Sequence, residues 1–193
     1  LNTCELELMK DKDFLLDETS YLRKVEQLIK RNEKTIRKYK LSNWFEKKEL
    51  LNARYKVLES VTRYPIQHFW EGGNKTGALF KGGETPIVKK YMAQHFIDDE
   101  RTWQVSSYRE YVKAAVGMLA FTDFGTPWKT VMKERLNVLI QYFKNPRILE
   151  DMVQDIVLVY VEKTKGDSLM DFQVVYDKYV SKPEYRQERS EEH

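Results

Sequence analysis

Apolar residues in the first third of the chain recur at helical rather than strand spacing. Between Asp17 and Lys40, Leu22, Val25, Ile29, Ile36 and Tyr39 fall three, four or seven positions apart, with Asn32 on the same line. That is the stripe of an amphipathic helix with a near-heptad repeat. The series breaks at "KLSNWFEKKELL", where Asn43 followed three positions later by Glu46 resembles a capping box. A second stripe runs Leu50, Leu51, Tyr55, Leu58 and Val61, and the short connection predicts an antiparallel helical hairpin. Pro65 is expected to end or kink the second helix near Arg63 or Tyr64.

Further on, Thr85-Pro86, Thr126-Pro127 and Asn145-Pro146 each set a capping side chain before a proline, where the missing N–H costs nothing and the fixed φ suits a first turn. The segments they open are helically patterned. Ile87, Tyr91 and Phe96 share one side of the first; Trp128, Val131, Met132, Leu136, Leu139 and Phe143 line the second. Between these two, the stretch from Trp103 through Tyr108, Val112, Ala115, Val116 and Leu119 to Ala120 reads as another helix, stopping at Gly125. The two Thr-Pro starts lie 41 residues apart, a period found in helical solenoids, yet aligning them matches nothing beyond the proline. "IVLVYV", from Ile156, suits a buried strand as well as a helix; helical spacing on both sides favours a helix, a turn at Gly166 and a further helix capped by Ser168.

The expected fold is therefore all-α: an N-terminal antiparallel hairpin packed on a helical bundle, with a small β-hairpin in 72–84 or 156–179 as the local alternative. The segmentation runs 1–71 for the hairpin, 72–84 for a glycine-rich connection, 85–181 for the helical core and 182–193 for a charged tail. At 193 residues, 41% of them hydrophobic, the chain is long and apolar enough to bury a core. No run of 18 or more apolar residues exists, so no transmembrane segment is expected, and the acidic start "LNTCELELMKDKDFLLDE" does not match a basic leader. A lone cysteine, Cys4, excludes an intrachain disulfide and favours a reducing or cytoplasmic compartment. The start at Leu1 rather than at methionine is expected of a piece of a larger protein or assembly, or of a chain whose leader was removed.

Chemistry is sparse. Glu71 to Pro86, "EGGNKTGALFKGGETP", holds five of the eight glycines, but Gly83 and Glu84 stand where a phosphate-binding loop needs lysine and a hydroxyl, and "RYPIQHFW" before it is no buried strand. It reads as a connector. His68 with Glu71 and His95 with Asp98 have metal-ligand spacing on a helix, but no zinc arrangement joins them, and histidine beside Phe69 and Trp70 is more often a packing residue. There is no nucleophile elbow and no triad pattern. No catalytic residue, metal or cofactor is assigned, and the chain reads as a non-enzymatic module.

Charge is more informative. From Ser20 to Arg63 thirteen basic residues stand against five acids, a net of +8, while the whole chain is only +3, leaving the remainder at −5. A basic helical face attracts an acidic protein, nucleic acid or anionic lipid by the same Coulombic force. Lys30, Arg31, Lys34, Arg37 and Lys38 are its candidate contacts. The pairs Trp44-Phe45 and Phe69-Trp70 lie near the two ends of the second helix, where they are expected to clamp the hairpin to the body, or to mark a docking patch if exposed. The leading expectation is a protein-protein interaction module; the alternative is a nucleic-acid-binding protein. A second copy pairing through the stripe that carries Asn32 is also considered.

Overall fold

The computed structural model describes residues 6–72, 85–121, 123–164 and 172–181. Among the described residues there are eight α-helices and one short 3-10 turn at Asp11–Leu15, and no strand. The class is all-α. The helices are α1 (Glu18–Arg37), α2 (Asn43–Glu71), α3 (Pro86–Gln94), α4 (Glu100–Trp103), α5 (Ser106–Leu119), α6 (Trp128–Tyr142), α7 (Pro146–Thr164) and α8 (Gln173–Tyr179).

Asp17 caps α1 by accepting the Ser20 N–H at 3.0 Å. The buried line of α1 is Tyr21, Val25, Leu28, Ile29, Asn32 and Ile36, so Tyr21 points inward where the sequence spacing chose Leu22, and Tyr39 is 57% exposed beyond the helix end. Lys40 has φ of 47°; a non-glycine residue in this left-handed region costs about 1–2 kcal/mol, and here it sits in the short turn into α2. Tyr21 Oη donates to Ser60 Oγ at 3.1 Å and Arg54 pairs with Glu33 at 2.7 Å. The start of α1 thus meets the later part of α2, and its later part meets the middle, so the two helices run in opposite directions.

Pro65 does not end α2, which continues to Glu71. A proline inside a helix removes the N–H that would bond to the carbonyl four residues back. Tertiary anchors on both sides outweigh that loss. Tyr64 donates its hydroxyl to the Leu16 carbonyl at 2.6 Å, and His68 Nδ1 lies 2.7 Å from the Phe14 carbonyl. The rings of Phe14, Tyr21, Tyr64 and His68 continue from one to the next at centroid distances of 5.6, 4.2 and 4.8 Å.

Contacts group the chain into two units, 1–97 with 101–124, and 98–100 with 125–193. This grouping and the sequence segmentation at 72–84 cut the chain at different places. In the first unit, tyrosines do the work of caps. Tyr111 donates to the Met92 carbonyl at 2.7 Å, which also accepts the His95 N–H at 3.1 Å, and Tyr55 donates to the His95 carbonyl at 3.0 Å, so both hydroxyls supply donors at the C-terminus of α3, where carbonyls run out of intrahelical partners. Tyr55 packs on Tyr108 and Tyr111 at 4.6 and 5.3 Å. The inward face of α3 is Val88 and Met92, while Ile87, placed on the packed side by its sequence spacing, is 51% exposed. Thr85 makes no capping bond; the Val88 N–H instead donates to Glu18 of α1 at 2.7 Å.

In the second unit, Met132, Leu136 and Leu139 of α6 and Ile148, Met152, Val153, Ile156, Val157, Tyr160 and Val161 of α7 are buried. "IVLVYV" is therefore helix, and 173–179 is helix too, so the β-hairpin alternative fails on the described part of 156–179. Inward positions at i, i+1, i+4 and i+5 give that run one buried helical side. Asn145 caps α7 by accepting the Arg147 N–H at 3.0 Å. The start of α2 departs from the proposed capping box by one residue: Ser42 occupies the cap position and its side chain makes no capping bond. The readings of 73–84, of the turn at Gly166, of the Ser168 cap and of the charged tail from Lys182 lie outside the described residues.

Candidate interaction surface

Lys30, Arg31, Lys34, Arg37 and Lys38 are all exposed, on α1 and at its C-terminal cap. Lys34 and Arg37 occupy the last turn, where cations complement the helix dipole. Arg31 pairs with Glu7 at 3.3 Å; the other four have no carboxylate partner among the described residues. Glu7 belongs to an acidic stretch that lies against α1. Asn32, 2% exposed, accepts the Glu7 N–H at 2.9 Å through Oδ1 and donates through Nδ2 to the Glu7 carbonyl at 2.9 Å. Lys24 pairs with the buried carboxylate of Asp13. Burial alone raises the Asp13 carboxyl, but the bonds from Lys24 and from the Lys10 backbone outweigh it and hold the group below the usual carboxylate value. Asn32 thus makes both of its bonds to Glu7 within its own chain.

The aromatic pairs do not clamp anything at their tryptophans. Trp44 is 70% exposed, Phe45 41% and Trp70 54%, while Phe69 is half-buried. The first fully buried residue of α2 is Ala53, so the opening turns of this helix carry no inward face deep enough to hide an indole. Trp44 and Trp70 lie 26 residues apart on one helix, about 39 Å at ~1.5 Å per residue. They belong to different surfaces.

Trp44 has company that the sequence reading did not single out. Trp44, Lys47, Lys48 and Leu51 follow the i, i+3, i+4, i+7 spacing of one helical side, and with Arg101, Gln104 and Val105 they border a cleft of about 810 Å³. The Lys48 ammonium stands 5.3 Å from the centroid of the Trp44 ring, within cation-π range. No carboxylate is among the walls that the described residues form. Lys47, Lys48 and Arg101 have no carboxylate partner among the described residues. A smaller hollow of about 440 Å³ on α1 is bordered by Arg23, Lys24 and Arg31, but two of these cations are already paired with Asp13 and Glu7. The Trp44 side of the cleft was legible in the spacing; Arg101 and Gln104 reach it only through tertiary packing.

The histidines have structural surroundings. His68 is bonded to Phe14 and stacked on Tyr64. His95 lies edge-on to Tyr91 at 4.4 Å, and burial lowers its pKa, partly opposed by Glu26. Tyr91 donates to Glu26, and burial followed by that carboxylate raises its phenol far above the ordinary value. No group of three or more His, Cys, Asp or Glu side chains able to hold a metal occurs among the described residues, and no described helix is long and apolar enough to cross a membrane. Comparison with protein-family models, with curated proteins and with solved structures finds no match to this chain.

Proposed function

We propose that the chain is a non-enzymatic helical module that binds another protein, using the basic and aromatic surface around the α1–α2 turn to hold an acidic stretch of that partner. The observation that carries this reading is Trp44, 70% exposed beside Lys47, Lys48 and Arg101, which have no carboxylate partner among the described residues. Exposed tryptophan is enriched at protein interfaces relative to ordinary surface, and the cations beside it supply the complementary charge for an acidic partner. Support comes also from the chain itself, whose acidic stretch around Glu7 and Asp13 already lies against the basic helix through Arg31 and Lys24.

The test is an array of immobilised peptides of acidic, neutral and basic composition probed with the whole protein at low and moderate ionic strength. Acidic peptides should retain it, and raising the salt should weaken retention, since exposed charges are screened over about 8–10 Å. Equal retention on neutral and acidic peptides would remove the reading.

A second reading has one observation of its own. A tryptophan ring flanked by Lys47, Lys48 and Arg101 resembles the stacking-plus-phosphate chemistry used on single-stranded nucleic acid. A gel-shift with a 20-nucleotide single strand separates the two: retention of the strand at lower protein concentration than the acidic peptides selects nucleic acid.

A further inference from the structure

The cleft beside Trp44 has a composition that narrows the partner. We infer that it is the seat of a short acidic peptide segment carrying one apolar anchor, with the anchor against Trp44, Leu51 and Val105 and neighbouring carboxylates on Lys47, Lys48 and Arg101. This rests on the proposed protein-binding function and specifies where and how an acidic stretch is read.

Three observations converge on that occupant. The volume, about 810 Å³, is within the roughly 300–1,000 Å³ of sites that enclose small ligands or side chains, and exceeds what one side chain fills, leaving room for flanking acids. Its walls divide by chemistry: a ring and two aliphatic side chains on one hand, three cations and the Asn43 and Gln104 amides on the other. An apolar group alone would leave the cations without partners, and an anion alone would leave the indole bare to water; a segment with both satisfies both. Finally, no acid borders the cleft among the described residues, so charge complementarity selects an anionic segment.

A nucleic acid strand fits less well. Sequence-tolerant strand binding uses a cationic groove that tracks several phosphates, with successive bases on several rings. Here one ring, Trp44, borders the cleft, and the cations of α1 that could extend a track, Lys30, Lys34, Arg37 and Lys38, are not among its walls.

Fluorescence anisotropy on the full chain tests this with three labelled probes: the peptide Asp-Asp-Glu-Leu-Phe-Asp-Glu-Asp, the same peptide with alanine for its leucine and phenylalanine, and an eight-nucleotide thymidine strand. Cleft variants are Trp44→Ala, Lys47→Glu with Lys48→Glu, and Arg101→Glu; the variant Arg37→Glu with Lys38→Glu changes α1 alone. All these positions are exposed, and circular dichroism checks that each variant keeps its helices. Each cleft variant should weaken the first peptide at least tenfold, about 1.4 kcal/mol. Alanine in place of the anchors should weaken it at least fivefold, and the α1 variant should cost less than threefold. If the α1 variant abolishes binding and the cleft variants leave it intact, the cleft assignment is wrong while the protein-binding reading stands. Tighter binding of the thymidine strand, lost in the cleft variants, overturns the assignment in favour of a nucleotide site. Failure of both peptides on every form removes the assignment and the proposed function together.

Discussion

His95 lies half-buried with its ring edge-on to Tyr91. Burial depresses its pKa below the ordinary 6.5; the Glu26 carboxylate works against that and Arg54 with it. In the unfolded chain the imidazole regains its ordinary affinity for a proton, so between the two pKa values the unfolded state binds more protons and stability rises with pH. The stabilising contribution is therefore complete above 6.5 and is lost as pH falls toward the depressed value. Thermal unfolding followed from pH 7.5 to 5 should show Tm decreasing, and His95→Gln should flatten that slope. An unchanged slope in the variant assigns the effect elsewhere. Asp13 acts in the same direction in a different window: its lowered carboxyl stabilises the fold above the ordinary 3.8 and stops doing so as pH drops through its folded value, which separates the two groups experimentally.

Asn32 shows how far a single residue can be read from sequence. Its place on an apolar stripe was visible, with a second copy considered as its partner; it is 2% exposed, and a buried polar group needs a partner. The partner, the Glu7 backbone 25 positions earlier, carries no pattern that a sequence displays. Asn32→Leu should destabilise by about 1–3 kcal/mol although leucine is the more apolar residue, because the Glu7 N–H and carbonyl lose their matched partners. Urea denaturation at neutral pH measures this; a neutral or stabilising result would show that water replaces the clasp at no cost.

At the scale of elements, helices were legible because their buried sides repeat: the inward residues of α1, α2, α6 and α7 recur at helical spacing over about two to four turns. What was not legible is how ends are satisfied. Thr85 sits before Pro86 as a cap should, yet the Val88 N–H is taken by Glu18 from α1, the His95 carbonyl is taken by Tyr55 of α2, and Tyr111 of α5 adds a second donor to the Met92 carbonyl. Long-range partners override local capping whenever their geometry is better. The same competition decides Pro65. Proline in a helix interior is about 3 kcal/mol less favourable than alanine, while the two ring methylenes lost on replacing buried Pro65 with alanine are worth about 1.6 kcal/mol of burial. The helix term is larger, so Pro65→Ala should stabilise the protein by roughly 1 kcal/mol, read as a shift of the urea midpoint without a change in slope. A loss of stability would mean that the ring fills its site better than this balance assumes.

At the scale of the whole molecule, the +8 stretch from Ser20 to Arg63 and the −5 remainder were visible in the sequence, whereas the division into two contact units was not: no glycine or proline cluster marks a boundary near Phe124 as strongly as the one at 72–84 does. If each unit is a cooperative block, opening in one should not require opening in the other. Leu58, fully buried in α2, and Met152, 1% exposed in α7, supply one probe in each. Truncating a buried leucine or methionine to alanine costs about 2–5 kcal/mol, enough to lower amide protection measurably. Native-state hydrogen exchange on Leu58→Ala should speed exchange of slow amides in α1, α2 and α5 while those of α7 keep their rates, and Met152→Ala should do the reverse. Acceleration of all slow amides by the same factor in both variants would instead make the chain one cooperative block, with the contact units a matter of shape and not of energy.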